Sequence, residues 1–256
     1  MSDMKNKVVI ITGASSGIGR AAALKFGMGG AKVALVARSG DQLAKVAQTI
    51  EAAGGEAKPI PADVTNPPDV ERVVRETVAA YGGIDILVNA AGVLKAGTVE
   101  NTSLEDWEQM MNVNVRGPFY LMQCAMPYLV ERQGNVVNVS SVNAVRAFPG
   151  VLGYCVSKAA LEQLTRCAAL EMAGKGVRVN SVNPGVTVTQ LHRSGGMDAK
   201  TYATFLEHSK TTHPLGRVGQ PEEVAELIYF LASSKAGWIT GGTHLIDGGR
   251  GQTCAR

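Results

Sequence analysis

The chain has 256 residues, 45% hydrophobic and 18% charged, enough for one sizeable core at a length where an α/β sheet protein is usually a single domain. Twenty-five basic against 22 acidic residues give a formal charge of +3, spread along the chain without the basic stripe that nucleic-acid binding requires. No apolar run approaches the roughly 20 residues of a bilayer span, and the opening MSDMKNK lacks a hydrophobic leader, so a cytoplasmic protein with no membrane partner is expected.

In chain order, short β-branched runs alternate with longer amphipathic ones. KVVIIT from Lys7 predicts a strand and 17–28 a helix; KVALVA from Lys32 and 42–53 repeat the pair. AKPIP from Ala57 and 68–81 follow, then IDILVN from Ile84 and a long helix over 104–130. NVVNVS from Asn135, a helix over 153–173, VRVNSVNP from Val177, a helix over 221–232 and GGTHLID from Gly241 complete the series. Gly29-Gly30, Gly54-Gly55 and Gly82-Gly83 stop three of the helices, and Pro67-Pro68 and Pro221-Glu222-Glu223 start two. Seven mostly continuous apolar strands alternating with helices predict a parallel sheet covered on both faces. Residues 186–219 break the pattern and read as an inserted loop with a helix or two, of the kind that covers sites.

Directly after the first strand stands TGASSGIG, with Gly13, Gly17 and Gly19 leading into a helix. A dinucleotide pyrophosphate needs backbone N–H groups at a helix start and no side chain in the way, and this turn supplies both. NAD sites place an acidic residue about 20 positions further on, at the end of the second strand. Here that position reads Ala37-Arg38-Ser39, and Arg38 suits a 2′-phosphate, so NADP(H) is favoured over NAD(H).

In GYCVSKAAL, Tyr154 and Lys158 lie four apart, which on a helix sets them one above the other. Cys124, Cys155, Cys167 and Cys254 show neither CxxC nor metal-ligand spacing, so four free thiols and no metal site are expected, with Cys155 a small buried thiol beside the tyrosine.

From Lys7 to about Gly249 the chain resembles the short-chain dehydrogenase/reductase family. TGASSGIG matches its T-G-x-x-x-G-x-G turn and NAAG at 89–92 its N-N-A-G segment; Asn114, the serine of NVSS, YCVSK and NPG at 183–185 match in order. Ala90 stands where a second asparagine is frequent and Thr187 where valine is frequent. The resemblance implies a single-domain Rossmann fold over residues 1–256, a nicotinamide cofactor, and hydride transfer between an alcohol and a carbonyl. It assigns the catalytic tetrad to Asn114, Ser141, Tyr154 and Lys158, selecting Ser141 over Ser140 because it lies 13 positions before the tyrosine. It sets the cofactor against Gly13, Ser15, Ser16, Gly17, Ile18, Gly19, Arg38, Asp63, Val64, Asn89, Ala91, Gly92, Tyr154, Lys158, Pro184, Gly185, Thr187 and Thr189. A homotetramer is implied by the same likeness.

In that scheme Tyr154 gives a proton to the alkoxide formed on reduction and takes one on oxidation. An ammonium about 4 Å away at an effective dielectric of about 20 contributes about 4 kcal/mol, which would bring the phenol from about 10 to near 7 before desolvation. Ser141 would hold the substrate oxygen and Asn114 a water leading from Lys158 to solvent. Val93, Leu94, Val142, Asn143, Val145, Phe148, Leu191 and Met197 are the expected pocket residues, an apolar set that suits a hydrophobic ketone; a 3-oxoacyl thioester is the alternative substrate. His192, His208 and His213 are candidates for substrate contact, and Trp107 and Trp238 for packing. A sensor that kept the fold and lost turnover would be free to lose Ser141, Tyr154 or Lys158, and all three are present.

Overall fold

The computed structural model describes residues 3–253. Seven strands form one parallel sheet: β1 (Val8–Thr12), β2 (Lys32–Ala37), β3 (Glu56–Pro61), β4 (Ile86–Asn89), β5 (Asn135–Val139), β6 (Arg178–Pro184) and β7 (Thr243–Ile246). Their order across the sheet is β3-β2-β1-β4-β5-β6-β7, so the chain reverses direction between β1 and β4. Open α/β sheets bind ligands at such a switch point, beyond the carboxyl ends of the strands.

Alternate strand residues feed two cores. Val9, Ile11, Val33 and Leu35 pack with Phe26, Leu43, Ile50 and Ile228 on α1 (Gly17–Met28), α2 (Gly40–Ala52) and α9 (Pro221–Ala232). Ile10, Ala34, Val36 and Leu87 pack on the other face with Val70, Val73, Leu121 and Leu129 on α3 (Pro67–Tyr81) and α5 (Gly117–Glu131), joined by α6 (Leu152–Ala173). Each fully buried aliphatic side chain contributes about 1.5–3 kcal/mol, and the period-two split explains why the strands read as continuously apolar. Pro59 and Pro61 fall on β3, an edge strand, where a missing N–H is tolerated.

The long helix expected over 104–130 is not continuous. It divides into α4 (Leu104–Met111), a π-helical turn (Asn112–Arg116) and α5. The π turn adds a residue to the helical repeat and turns Asn114 fully into the interior. The inserted segment holds α7 (Leu191–Ser194) and α8 (Ala199–Thr212). Among the described residues no helix is long and apolar enough to cross a membrane, and no group of three His, Cys, Asp or Glu side chains is placed to hold a metal. Cys124, Cys155 and Cys167 are free thiols; Cys254 lies outside the described residues.

Candidate active site

A cleft of about 2060 Å³ runs along the carboxyl ends of the strands. At its base the Thr12 hydroxyl accepts the N–H groups of Ala90 and Ala91, both at 3.1 Å, stitching the end of β1 to the end of β4. Gly13 has φ +67°, and a Cβ there would lie 2.8 Å from the Ala90 carbonyl oxygen; a Cβ on Gly19 would collide with the Gly13 carbonyl. Only glycine fits this turn.

α1 begins with no side-chain cap and no acidic residue in its first turn, so its free N–H groups face the cleft beside Ser15, Ser16, Gly17 and Ile18. Arg38 is exposed at the cleft edge, and its side chain has no hydrogen-bond or ion-pair partner among the described residues. Asp63 lines the same end, its Oδ1 accepting the N–H and hydroxyl of Thr65 at 2.8 and 2.7 Å, followed by Val64. A bare helix start, glycines that admit no side chain and an unpaired guanidinium fit a phosphorylated dinucleotide.

The remaining cluster sits under the middle of the cleft. Tyr154 and Lys158 are buried, 5% and 3% exposed, one turn apart on α6. Lys158 Nζ donates to the Val139 carbonyl at 2.8 Å and lies 5.7 Å from the centre of the Tyr154 ring. Ser141, just past β5, accepts the Asn143 N–H at 3.1 Å and donates to Asn143 Oδ1 at 3.2 Å, while Asn143 Nδ2 donates to Cys155 Sγ at 3.4 Å. The Ser141 carbonyl accepts from Asn183 Nδ2 at 3.1 Å, and the same amide meets the buried Glu162 carboxylate. Cys155 lines the cleft and is half-buried, not the fully buried thiol expected.

The electrostatics reverse the expectation drawn from spacing alone. Burial pushes the Tyr154 phenol up to about 12, opposed by the neighbouring Ser141 hydroxyl. Burial also pulls the Lys158 ammonium down to about 8. In the protein alone, desolvation of both groups therefore outweighs attraction between them.

Asn114 is fully buried and acts as a clip. Its Oδ1 accepts Val93 N–H at 2.9 Å, and its Nδ2 donates to Val93 O at 2.9 Å and to Ser157 Oγ at 3.0 Å. Both amide hydrogens are thus spent on protein groups, so a water at Asn114 would be held by one of its oxygens rather than by its amide N–H groups. Asn89 is also turned inward: its Nδ2 donates to Asn138 Oδ1 at 2.9 Å, and the side chain does not line the cleft. Val145 is exposed and lies off the cleft as well.

Pro184, Gly185, Thr187 and Thr189 line the far side with Leu191 and Met197. A Cβ on Gly17 would meet Thr189 Cγ2 at 3.1 Å, so the inserted segment closes onto the glycine turn. His213 is structural: its Nε2 accepts Val186 N–H at 3.1 Å and its Nδ1 faces the Ser209 carbonyl at 2.6 Å. His208 points to solvent, and His192 lines the cleft, packed 4.6 Å from the Phe205 ring. Val93, Leu94, Val142, Asn143 and Phe148 line it as expected; Lys95, Arg146, Arg250 and Thr253 also do, and no spacing in the sequence signals them.

A parallel sheet, a glycine turn at its switch point and a buried Tyr–Lys pair define a nucleotide-binding α/β protein. The family model described as enoyl-(acyl carrier protein) reductase matches residues 13–250. The 3-oxoacyl-[acyl-carrier-protein] reductase FabG of Thermotoga maritima is 39% identical over 247 residues, covering 96% of this chain and 98% of that protein. The 3beta-hydroxysteroid dehydrogenase 1 of Eggerthella lenta is 36% identical, covering 96% and 94%. A Caenorhabditis elegans short-chain dehydrogenase/reductase of unknown function, solved with cofactor, superposes with a TM-score of 0.94 at 33% identity, over 98% of this chain and 97% of that one. The chain belongs to the short-chain dehydrogenase/reductase family and is an oxidoreductase.

Proposed function

We propose that the chain is an NADP(H)-dependent carbonyl reductase that interconverts a ketone and a secondary alcohol, with Tyr154 as acid and base. The observation that carries this is the burial of Tyr154, Lys158 and Ser141 together beneath a cleft whose other end offers a bare helix start and an unpaired arginine. The glycine turn, Arg38, Asp63 and the segment 184–189 would hold the cofactor. A bound nicotinamide dinucleotide supplies the hydride and, when oxidised, a positive ring charge.

Ser141 is a rotor with a donor and an acceptor, and it turns from Asn143 to the substrate oxygen. Tyr154, protonated at neutral pH, releases its proton to that oxygen as the carbonyl carbon takes the hydride. Lys158 spends one of its three N–H groups on Val139, and the others are free to stabilise the phenolate. Asn114 fixes the spacing of Val93 and Ser157, and so the approach of the 93–95 loop to α6.

The apolar lining of Val93, Leu94, Val142, Phe148, Leu191 and Met197 suits a hydrophobic ketone. A 3-oxoacyl thioester is the second candidate, supported by the printed activity of the Thermotoga maritima relative. NADPH oxidation against a panel of aliphatic ketones, steroid ketones and 3-oxoacyl thioesters tests both; tight NADPH binding without turnover of any member would make the chain a cofactor-binding sensor instead. We also place the protein in the cytoplasm as a homotetramer of one-domain chains, and a light-scattering mass of one 26.8 kDa chain would contradict the tetramer.

A further inference from the structure

The outer wall of the cleft carries two cations that hydride transfer does not use. Arg146 follows the turn behind Ser141 and Arg250 follows β7, and both line the same cleft as Ser141 and Tyr154. Arg146 Nε donates to the Gly251 carbonyl at 2.8 Å, and Arg250 Nη1 to the Thr212 hydroxyl. The Arg250 guanidinium also lies 4.8 Å from the centre of the Phe148 ring. Residues 250–253 are thereby folded back against the chain's own site.

A guanidinium has five N–H donors, and Arg146 and Arg250 each spend one in these bonds. The arginines that do form ion pairs are Arg72, Arg166 and Arg217; neither Arg146 nor Arg250 has a carboxylate within reach among the described residues. Asp247 is the acid beside Arg250, but its two oxygens take the N–H groups of Gly249 and Gly251 at 2.9 and 2.6 Å. Lys95, the other cation on this wall, is already balanced by Asp106 at 3.5 Å. Neither half-buried guanidinium has an ion-pair partner among the described residues, Asp247 acting on Arg250 only through space, so both keep most of their donors free for an anion that a ligand brings. Planar forks of this kind pair with carboxylate and phosphate oxygens two at a time.

Apolar side chains, among them Val142, Phe148 and Leu191, line the same cleft. We infer that Arg146 and Arg250 form an anion subsite, and that the substrate is an apolar carbonyl compound carrying a carboxylate or phosphate away from its reacting carbon. This rests on Ser141 and Tyr154 holding the carbonyl, as proposed above.

The test uses full-length protein with NADPH and three matched series: straight-chain oxo acids, their methyl esters, and phosphate monoesters of the corresponding keto alcohols. An anionic series should exceed the esters by about ten- to a hundredfold in kcat/KM, the size expected of charge-assisted hydrogen bonds. Whichever of acid and phosphate is preferred identifies the anion. In Arg146→Gln and in Arg250→Gln the ratio of anion to ester should fall toward one. Should a variant not fold, equilibrium binding of the acid and the ester to the wild-type NADP complex reads the same preference. A wild type without that preference, or folded variants that keep it, overturns the subsite. Loss of hydride transfer from every series with the binding preference intact would support the subsite and strike the reductase assignment alone.

Discussion

Lys158 Nζ stands 5.7 Å from the centre of the Tyr154 ring and is fastened to the Val139 carbonyl at 2.8 Å. The ammonium is therefore held in place before any cofactor arrives, and both residues bear the cost of leaving water.

The phenol should remain protonated in the cofactor-free protein. Phenolate absorbance of wild type minus that of Tyr154→Phe should stay flat to about pH 10 and rise toward a midpoint of about 12. Because the folded value is raised above the usual 10, the stabilisation it lends is present below pH 10 and lost as pH climbs through about 12. A midpoint near 7 would show that attraction to the Lys158 ammonium outweighs burial.

Lys158 should be a residue kept for function at the expense of stability. Its folded value of about 8 against 10.5 corresponds to about 3 kcal/mol at pH 7, partly offset by the bond to Val139. The depressed value means that stability is present above pH 10.5 and lost as pH falls through about 8. Lys158→Met should thus unfold at an equal or higher temperature than wild type at pH 7, with the wild type gaining on it as pH rises to about 10. A variant several kcal/mol less stable at pH 7 would show that the Val139 bond dominates.

Arg38 should decide between the two nicotinamide cofactors. Wild type should bind NADPH more tightly than NADH, and Arg38→Ala should reduce that ratio by about tenfold or more through loss of a bidentate charged pair. Equal affinities in the wild type would show that Arg38 does not recognise a 2′-phosphate.

Much of this site is legible in the sequence because its parts are local. The glycine turn is a contiguous motif at a strand end, and Tyr154 and Lys158 are joined by a single helical turn. What escapes depends on tertiary placement. The π turn at Asn112–Arg116 leaves the apolar pattern of the flanking helices intact, so nothing in the periodicity betrays it. Asn89 could face the cleft or the sheet interior, and Asn138, opposite it on β5, decides for the interior. Arg146 and Arg250 are more than a hundred residues apart, and only the return of the last segment brings them to one wall. The phenol's pKa escapes for a related reason, since spacing reports the cation but not the burial.

Tyr154 should carry the proton while the rest of the cleft holds the cofactor. Tyr154→Phe removes one hydroxyl and keeps the ring, so NADPH binding measured by fluorescence should stay within a few fold of wild type. Single-turnover oxidation of NADPH by a ketone accepted by the wild type should fall by about a hundred- to ten-thousandfold, the span of general acid catalysis. Hydride transfer at a wild-type rate in Tyr154→Phe, with NADPH bound, would contradict that role.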